Sequence, residues 1–109
     1  MERTNETRRY CFLYFNIAHH STGEIIKIGV SNNPEKRILE FNNGIKFRHK
    51  KGYCELVKFY RAFTIRYKNR KSAYKTELKF KRLNNEYCLN EFGSEVFHLK
   101  LEEAIGRLP

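Results

Sequence analysis

Two runs of apolar and aromatic residues, each of strand length, open the chain. The first extends from Tyr10 to Ile17 and the second from Glu24 to Val30, and short polar turn material that includes Gly23 separates them. This pattern predicts a β-hairpin. The face expected to cover the core carries alternate residues of both strands: Cys11, Leu13, Phe15, Ile17, Ile26, Ile28 and Val30. The opposite face carries Tyr14 and Lys27.

Helix signals follow the hairpin directly. Residues 33–35, Asn-Pro-Glu, supply an N-cap, a first-turn proline and an acid suited to the positive end of the helix dipole. The cluster from Asn42 to Gly44 is expected to close this helix. A third strand is predicted over Glu55 to Phe63, and a turn or extension over Thr64 to Asn69.

The remaining elements give the chain an α+β order. Helix-favouring residues run from Arg70 to about Asn84, with Ala73, Tyr74, Leu78, Phe80 and Leu83 over one broad arc. A short strand near residues 96–99 and a brief helix from Lys100 to Arg107 would complete the chain. Residues 10–109 are thus expected to form a single domain behind a polar tail, residues 1–9.

Charge points to a polyanionic partner. The 22 Lys and Arg residues exceed the 12 Asp and Glu residues, which gives a net charge of +10. Nucleic acid is the leading partner. An anionic membrane surface is the competing reading, and it is less favoured because no run approaches the ~20 apolar residues of a membrane span. The polar N-terminus lacks a signal-peptide pattern, so an intracellular location is expected, cytoplasmic or, in a eukaryote, nuclear.

Cysteine and histidine spacing gives no sign of a zinc site. Cys11, Cys54 and Cys88 are widely spaced and odd in number, which favours reduced thiols in a reducing compartment. His19 and His20 are expected to be solvated residues of the hairpin loop.

Basic residues in two segments are the expected phosphate contacts. Such contacts would give affinity that falls as salt rises, without sequence specificity. The residues assigned to this role are Lys46, Arg48, His49, Lys50, Lys51, Arg70 and Lys71. Aromatic residues between Phe59 and Phe80 are interleaved with bases and could stack on unpaired bases, although most are more simply explained as core.

Glu77 is the one acid among ten basic residues between Lys58 and Arg82. Helical spacing aligns it with Ala73 and Phe80, within the apolar arc. A partly buried carboxylate needs a cation, and two readings are equally favoured. One is an ion pair with a nearby Lys or Arg, and the other is a divalent metal held against a phosphate backbone.

Four ordered motifs resemble those of the GIY-YIG endonucleases. The stretch KIGVSNNPEKRILEF from Lys27 to Phe41 looks like the second motif, with an arginine, Arg37, on the following helix. FLY at Phe12 to Tyr14 sits where the family has its GIY strand. AYKTELKF at Ala73 to Phe80 resembles the metal-site helix, and SEVFHL at Ser94 to Leu99 resembles a closing Glu-x-Phe element. Together the four motifs cover roughly residues 10–99.

This resemblance implies a fold and a reaction. The fold would be a three-stranded antiparallel sheet flanked by helices, and the reaction a metal-dependent hydrolysis of a DNA phosphodiester. Glu77 would hold Mg²⁺ or Mn²⁺, Arg37 would clamp a phosphate oxygen, and Tyr14 would orient or deprotonate the attacking water. Lys27 could supply the charge that lowers the pKa of Tyr14.

The sequence departs from the pattern at two places. The first motif lacks its glycine, and Lys27 replaces the family's second tyrosine. The alternative is therefore a catalytically silent nucleic-acid-binding or interaction module, since a fold does not guarantee an activity. A homodimer or a partner protein could supply the specificity that a chain of this length lacks.

Overall fold

The computed structural model describes residues 10–20, 23–42 and 58–109. Its strands are β1 (Cys11–His20), β2 (Gly23–Ser31), β3 (Tyr60–Tyr67) and β4 (Val96–Phe97). Its helices are α1 (Pro34–Asn42), α2 (Arg70–Leu83) and α3 (Leu101–Gly106), and two 3₁₀ turns span Asn85–Tyr87 and Asn90–Phe92.

The described strands form one antiparallel sheet in the order β3-β1-β2-β4. The α+β class is confirmed, but the predicted count of three strands is wrong. Val96 pairs with Lys27 and Phe97 pairs with Ile26, so the short C-terminal strand joins the sheet at the free edge of β2. A short strand was predicted near residues 96–99, but its place in the sheet was not, because the pairing of so short a strand depends on the edge that it meets.

The predicted hairpin is confirmed, and its strands are longer than expected. His19 lies opposite Glu24 within the ladder and is exposed, so its placement in a loop was wrong. Tyr14 lies opposite Gly29 and Asn16 lies opposite Lys27. Because paired residues share a face in an antiparallel sheet, Tyr14 and Lys27 are on the same face, as predicted.

The third strand is displaced towards the C-terminus. It begins at Tyr60 and continues to Tyr67, so of the two alternatives predicted from Thr64 onward the extension is observed and the turn is not. Thr64 pairs with Tyr14, and hydrogen bonding to β1 extends the strand where the sequence alone offered no clear signal. The part of the prediction before residue 58 lies outside the described residues.

Asparagine side chains begin both long helices. The Asn33 side chain accepts a hydrogen bond from the Lys36 amide at 3.1 Å, and Asn69 accepts one from the Ser72 amide at 2.8 Å. The observed ranges of α1 and α2 therefore agree closely with those predicted.

The buried stripe of α2 is narrower than the predicted apolar arc. Ala73, Glu77 and Phe80 are buried, whereas Tyr74 is 45% exposed and Leu78 is 58% exposed. The helix packs along one line of i, i+4 and i+7 positions, which leaves the neighbouring line in solvent.

Opposite faces of the β1–β2 hairpin are both covered, and they differ in chemistry. The first, called the apolar face here, belongs to the core cluster of Leu13, Phe15, Ile26, Ile28, Phe80, Phe97, Leu99 and Ala104. The Phe15 and Phe80 rings lie 5.3 Å apart, between centroids.

The second, called the polar face, carries Tyr14, Asn16 and Lys27, all at most 2% exposed. Beyond them a smaller apolar cluster includes Ile38 of α1 and Phe59. In the described part of the chain, no helix is long and apolar enough to cross a membrane. Cys11 is buried and Cys88 is half-buried, and Cys54 lies outside the described residues.

Candidate active site on the polar face

Tyr14 lies against the backbone of Gly29, its partner across the hairpin. A Cβ atom at Gly29 would overlap the Tyr14 hydroxyl, so only glycine leaves room for the phenol to cross β2. Gly29 is the glycine of the KIG sequence, and its φ is not in the left-handed region. Its role is thus to permit a close approach.

Burial determines the protonation of the Tyr14 phenol. Removal from solvent raises its pKa to about 12, and Glu95 adds to this effect, whereas the charge and hydrogen bond of Arg37 act in the opposite direction. The expectation that a neighbouring cation lowers the pKa of Tyr14 was therefore wrong in its net direction. The phenol is fully protonated at neutral pH.

Lys27 is enclosed by aromatic rings and one carboxylate. Its Nζ lies 4.0 Å from the centroid of the Phe41 ring, 5.4 Å from that of Tyr14 and 3.1 Å from Glu95 Oε1. Burial lowers the pKa of Lys27, and the charge of Glu95 opposes that change. Lys27 is a buried member of the cluster and not a solvated strand lysine.

Glu95 joins two lysines from different elements. It precedes β4, and its carboxylate contacts Lys27 through one oxygen and Lys81 of α2 through the other, at 3.1 and 3.3 Å. Burial favours the neutral form, but the two ammonium groups outweigh it and hold the pKa of Glu95 below its usual range. Glu95 therefore links the hairpin to α2.

Glu77 shares Lys81 with Glu95 but is held more loosely. Its Oε1 lies 3.8 Å from Lys81 Nζ, and the residue is only 6% exposed. Burial raises the pKa of Glu77 above its usual range despite the opposing charge of Lys81. The predicted burial of this carboxylate is confirmed, and the ion pair expected in one of the two readings is present.

Arg37 approaches the cluster from α1. Its guanidinium stacks 4.9 Å from the centroid of the Phe41 ring and contacts Glu40 at 3.4 Å. Its positive charge acts on the Tyr14 phenol and favours the ionised form, against the effect of burial. Nearly half of the Arg37 side chain, 45%, remains exposed, so a ligand can reach its guanidinium directly from solvent.

The structure brings together Tyr14, Lys27, Arg37 and Glu77, the four residues predicted to be catalytic. Sequence reasoning missed Glu95 and Lys81, which complete the charge balance between them. Glu95 lies in the SEVFHL segment, whose glutamate could have suggested it.

The predicted nucleic-acid contacts are described only in part. Arg70 and Lys71 are exposed at the start of α2, where phosphate could reach them. The other predicted contacts lie outside the described residues: Lys46, Arg48, His49, Lys50 and Lys51.

Asn16 is a second buried polar residue that sequence reasoning missed. It is 1% exposed, it lies opposite Lys27, and neither polar atom of its side chain has a hydrogen-bond partner among the described residues. Buried polar groups in native proteins are nearly always paired. The polar face therefore carries an unfavourable contribution to folding that the apolar face does not.

The carboxylates of the cluster could hold a divalent cation only with low affinity. Within the described ranges, no group of three or more His, Cys, Asp or Glu side chains could hold a metal. Mg²⁺, however, is commonly held by one or two carboxylates with water and substrate phosphate as the other ligands. Glu77, whose one ion-pair contact is long, has unused acceptor capacity, whereas both oxygens of Glu95 are engaged.

The chain belongs to the T5orf172 domain family, whose profile matches residues 11–107. This match replaces the GIY-YIG assignment, which is wrong because the matching family is a different one and no GIY-YIG profile matches. Short motifs spread over several elements were too weak to separate the two families.

The T5orf172 domain is nucleic-acid-associated and related to endonuclease-like domains. The prediction of a nucleic-acid-directed protein is therefore confirmed, whereas metal-dependent cleavage stays a prediction. No curated protein and no solved structure matches the chain.

Proposed function

We propose that this protein is a metal-dependent endonuclease that hydrolyses a DNA phosphodiester at the polar face. The observation that carries the proposal is the pair of carboxylates around Lys81. Glu95 is fully engaged and has a lowered pKa, whereas Glu77 is buried, loosely paired and has a raised pKa. A carboxylate in that state gains most from an added cation.

Glu77 would hold the Mg²⁺ or Mn²⁺ ion. When bound, such an ion polarises a phosphate oxygen and stabilises negative charge on the leaving oxygen. The raised pKa of Glu77 means that acid would weaken this site more readily than it weakens an ordinary glutamate site.

Arg37 would bind a nonbridging phosphate oxygen through its planar guanidinium. Its partial exposure and its loose contact with Glu40 leave donors for this purpose. The charge would also stabilise the phosphate as negative charge develops during the reaction.

Tyr14 would orient the attacking water and not deprotonate it. With a pKa near 12 the phenol remains a hydrogen-bond donor at neutral pH. Lys27 would keep a positive charge next to Tyr14, and Glu95 would hold that lysine in place. The proton acceptor would then be water or a phosphate oxygen.

The test compares Glu77→Gln with Glu86→Gln, which alters an exposed carboxylate outside the cluster. We expect Glu77→Gln to lose cleavage of plasmid and branched DNA with Mg²⁺ or Mn²⁺ while DNA binding persists. Its stability should change by no more than about 1 kcal/mol, because Lys81 keeps its contact with Glu95. Glu86→Gln should behave as wild type.

Melting temperature, DNA affinity and cleavage should be measured on the same preparations. A folded Glu77→Gln protein that cuts at the wild-type rate, with contaminating nuclease excluded, would refute the assignment of Glu77. Wild-type protein that binds DNA but cuts no form of it with either metal would favour the silent binding module.

A further inference from the structure

An open groove lies beside the candidate active site. It has a volume of about 360 Å³ and lies where the end of β2 meets the starts of α1 and α2. Its lining residues are Val30, Ser31, Asn32, Asn33, Lys36, Arg37, Glu40, Arg70 and Tyr74. A cavity of this size falls within the range of about 300–1,000 Å³ that small-molecule sites occupy.

Positive charge dominates the walls of the groove. Lys36, Arg37 and Arg70 supply three cations against one carboxylate, Glu40, which contacts Arg37 at 3.4 Å. The Arg70 guanidinium also donates to the Asn32 side chain, which fixes it at the rim. An anion, such as the phosphate of a nucleotide, would be attracted into this groove.

Tyr74 gives the groove an aromatic wall. The residue is 45% exposed, although it belongs to a helix whose neighbouring stripe is buried. The Arg70 guanidinium lies 5.9 Å from the centroid of its ring. An exposed aromatic ring flanked by cations is the arrangement on which unpaired bases stack, because every base offers a π face and a linked phosphate.

Exposure and position together distinguish Tyr74 from the other aromatic residues of β3 and α2. Phe63, Tyr67 and Phe80 pack in or against the core of the apolar face and cannot receive a base. Tyr60 is 53% exposed with Lys58 5.6 Å from its ring centroid, but it does not line the groove. Tyr60 therefore matches Tyr74 in chemistry and differs in position.

Arg37 connects the groove to the reactive cluster. It lines the groove, and its guanidinium lies 4.9 Å from the centroid of the Phe41 ring, over which Lys27 Nζ also lies at 4.0 Å. A nucleotide bound in the groove would therefore place its phosphate next to the residues proposed to hydrolyse a phosphodiester. A base paired within a duplex is stacked on both sides, so only an unpaired nucleotide could place its base against Tyr74.

We propose that this groove binds an unpaired nucleotide next to the scissile phosphate, so that the protein selects DNA with a single-stranded segment. Tyr74 stacks on the base, and Lys36 and Arg70 contact its phosphates. The selection of substrate rests on the proposed nuclease function, but the binding preference is measurable without cleavage.

Binding is tested in metal-free buffer with chelator, by fluorescence anisotropy of two labelled DNAs. One is a blunt duplex, and the other is the same duplex with a short single-stranded extension. We expect wild type to prefer the extended DNA by about tenfold, in line with the stacking of one base on one aromatic ring. Tyr74→Leu should bring the ratio close to one, and Tyr74→Phe, which keeps the ring, should retain it.

Tyr60→Leu is the matched control and should retain the preference. Equal affinity of wild type for the two DNAs, a preference that survives Tyr74→Leu, or an equal loss in Tyr60→Leu would each overturn the inference. Because Tyr74 is exposed, the melting temperature of Tyr74→Leu should match that of wild type.

Cleavage of the same DNAs with Mg²⁺ separates this inference from the nuclease proposal. Preference without cleavage supports the groove and counts against the nuclease. Cleavage without preference supports the nuclease and counts against the groove.

Discussion

The two faces of the β1–β2 hairpin are built from alternate residues of the same strands, yet they contain opposite chemistry. Leu13, Phe15 and Ile28 on the apolar face belong to the main hydrophobic core cluster. Tyr14, Asn16 and Lys27, one position away along the chain, are equally removed from solvent but polar. Burial alone does not mark a core: one face stabilises the fold, and the other holds the ionisable groups of Tyr14 and Lys27 in surroundings that shift their pKa values.

Truncation of the apolar face gives the largest expected effect. Phe80→Ala removes a ring in contact with Phe15 and Phe97 and should lower the free energy of unfolding by about 3–5 kcal/mol. Denaturant unfolding measures this change. Leu78→Ala, on the exposed side of the same helix, is the control and should cost less than about 1 kcal/mol. Similar losses in both variants would show that α2 does not anchor the core through Phe80.

Alkaline pH should reveal the burial of Tyr14. Its pKa is about 12 in the folded protein against about 10 in an unfolded chain, so the folded state binds more protons between these values. Stability is then fully present below pH 10 and falls as pH rises towards 12, by about 2–3 kcal/mol in total.

Tyr14→Phe should remove this alkaline loss, as measured by denaturant unfolding over a pH series. The lowered pKa of Lys27 makes stability rise with pH at values below the ordinary lysine pKa. Both proteins contain Lys27, so the difference between their pH profiles isolates the contribution of Tyr14. Tyr60→Phe, at an exposed position, should leave the profile unchanged. Parallel wild-type and Tyr14→Phe profiles would mean that the phenol is not desolvated.

Asn16 should give the smallest effect, and one of opposite sign. Asn16→Leu removes two buried polar atoms that have no hydrogen-bond partner within the described ranges, and it should raise the free energy of unfolding by about 1–2 kcal/mol. Asn84 is equally buried but donates to the Phe80 carbonyl at 2.9 Å, so Asn84→Leu should destabilise the protein by about 1–3 kcal/mol. Destabilisation by both substitutions would show that Asn16 has a partner in solution.

Much of the fold could be predicted from local sequence. The hairpin, the α1 start at Asn33 and the extent of α2 follow from alternation, capping residues and helical spacing, which act over a few residues. The end of β3 and the pairing of β4 could not be predicted in the same way, because a neighbouring strand determines both.

The candidate site, like the fold, combines features that local sequence determines with features that depend on distant segments. The sequence by itself determined that Tyr14 and Lys27 share a face, that Glu77 lies on the buried side of its helix, and that the chain is strongly basic. Only the tertiary structure decided that Glu95 holds Lys27 and Lys81 and that the pKa of Tyr14 rises instead of falling. It also decided that the Asn16 side chain has no hydrogen-bond partner in the described part of the chain.

The physical reason lies in the range of the interactions. Side-chain direction depends on backbone periodicity, which the sequence carries locally. Desolvation and charge pairing depend on which distant segments meet: Lys27 and Glu95 are 68 residues apart in the chain, and their ammonium and carboxylate groups lie 3.1 Å apart in the fold.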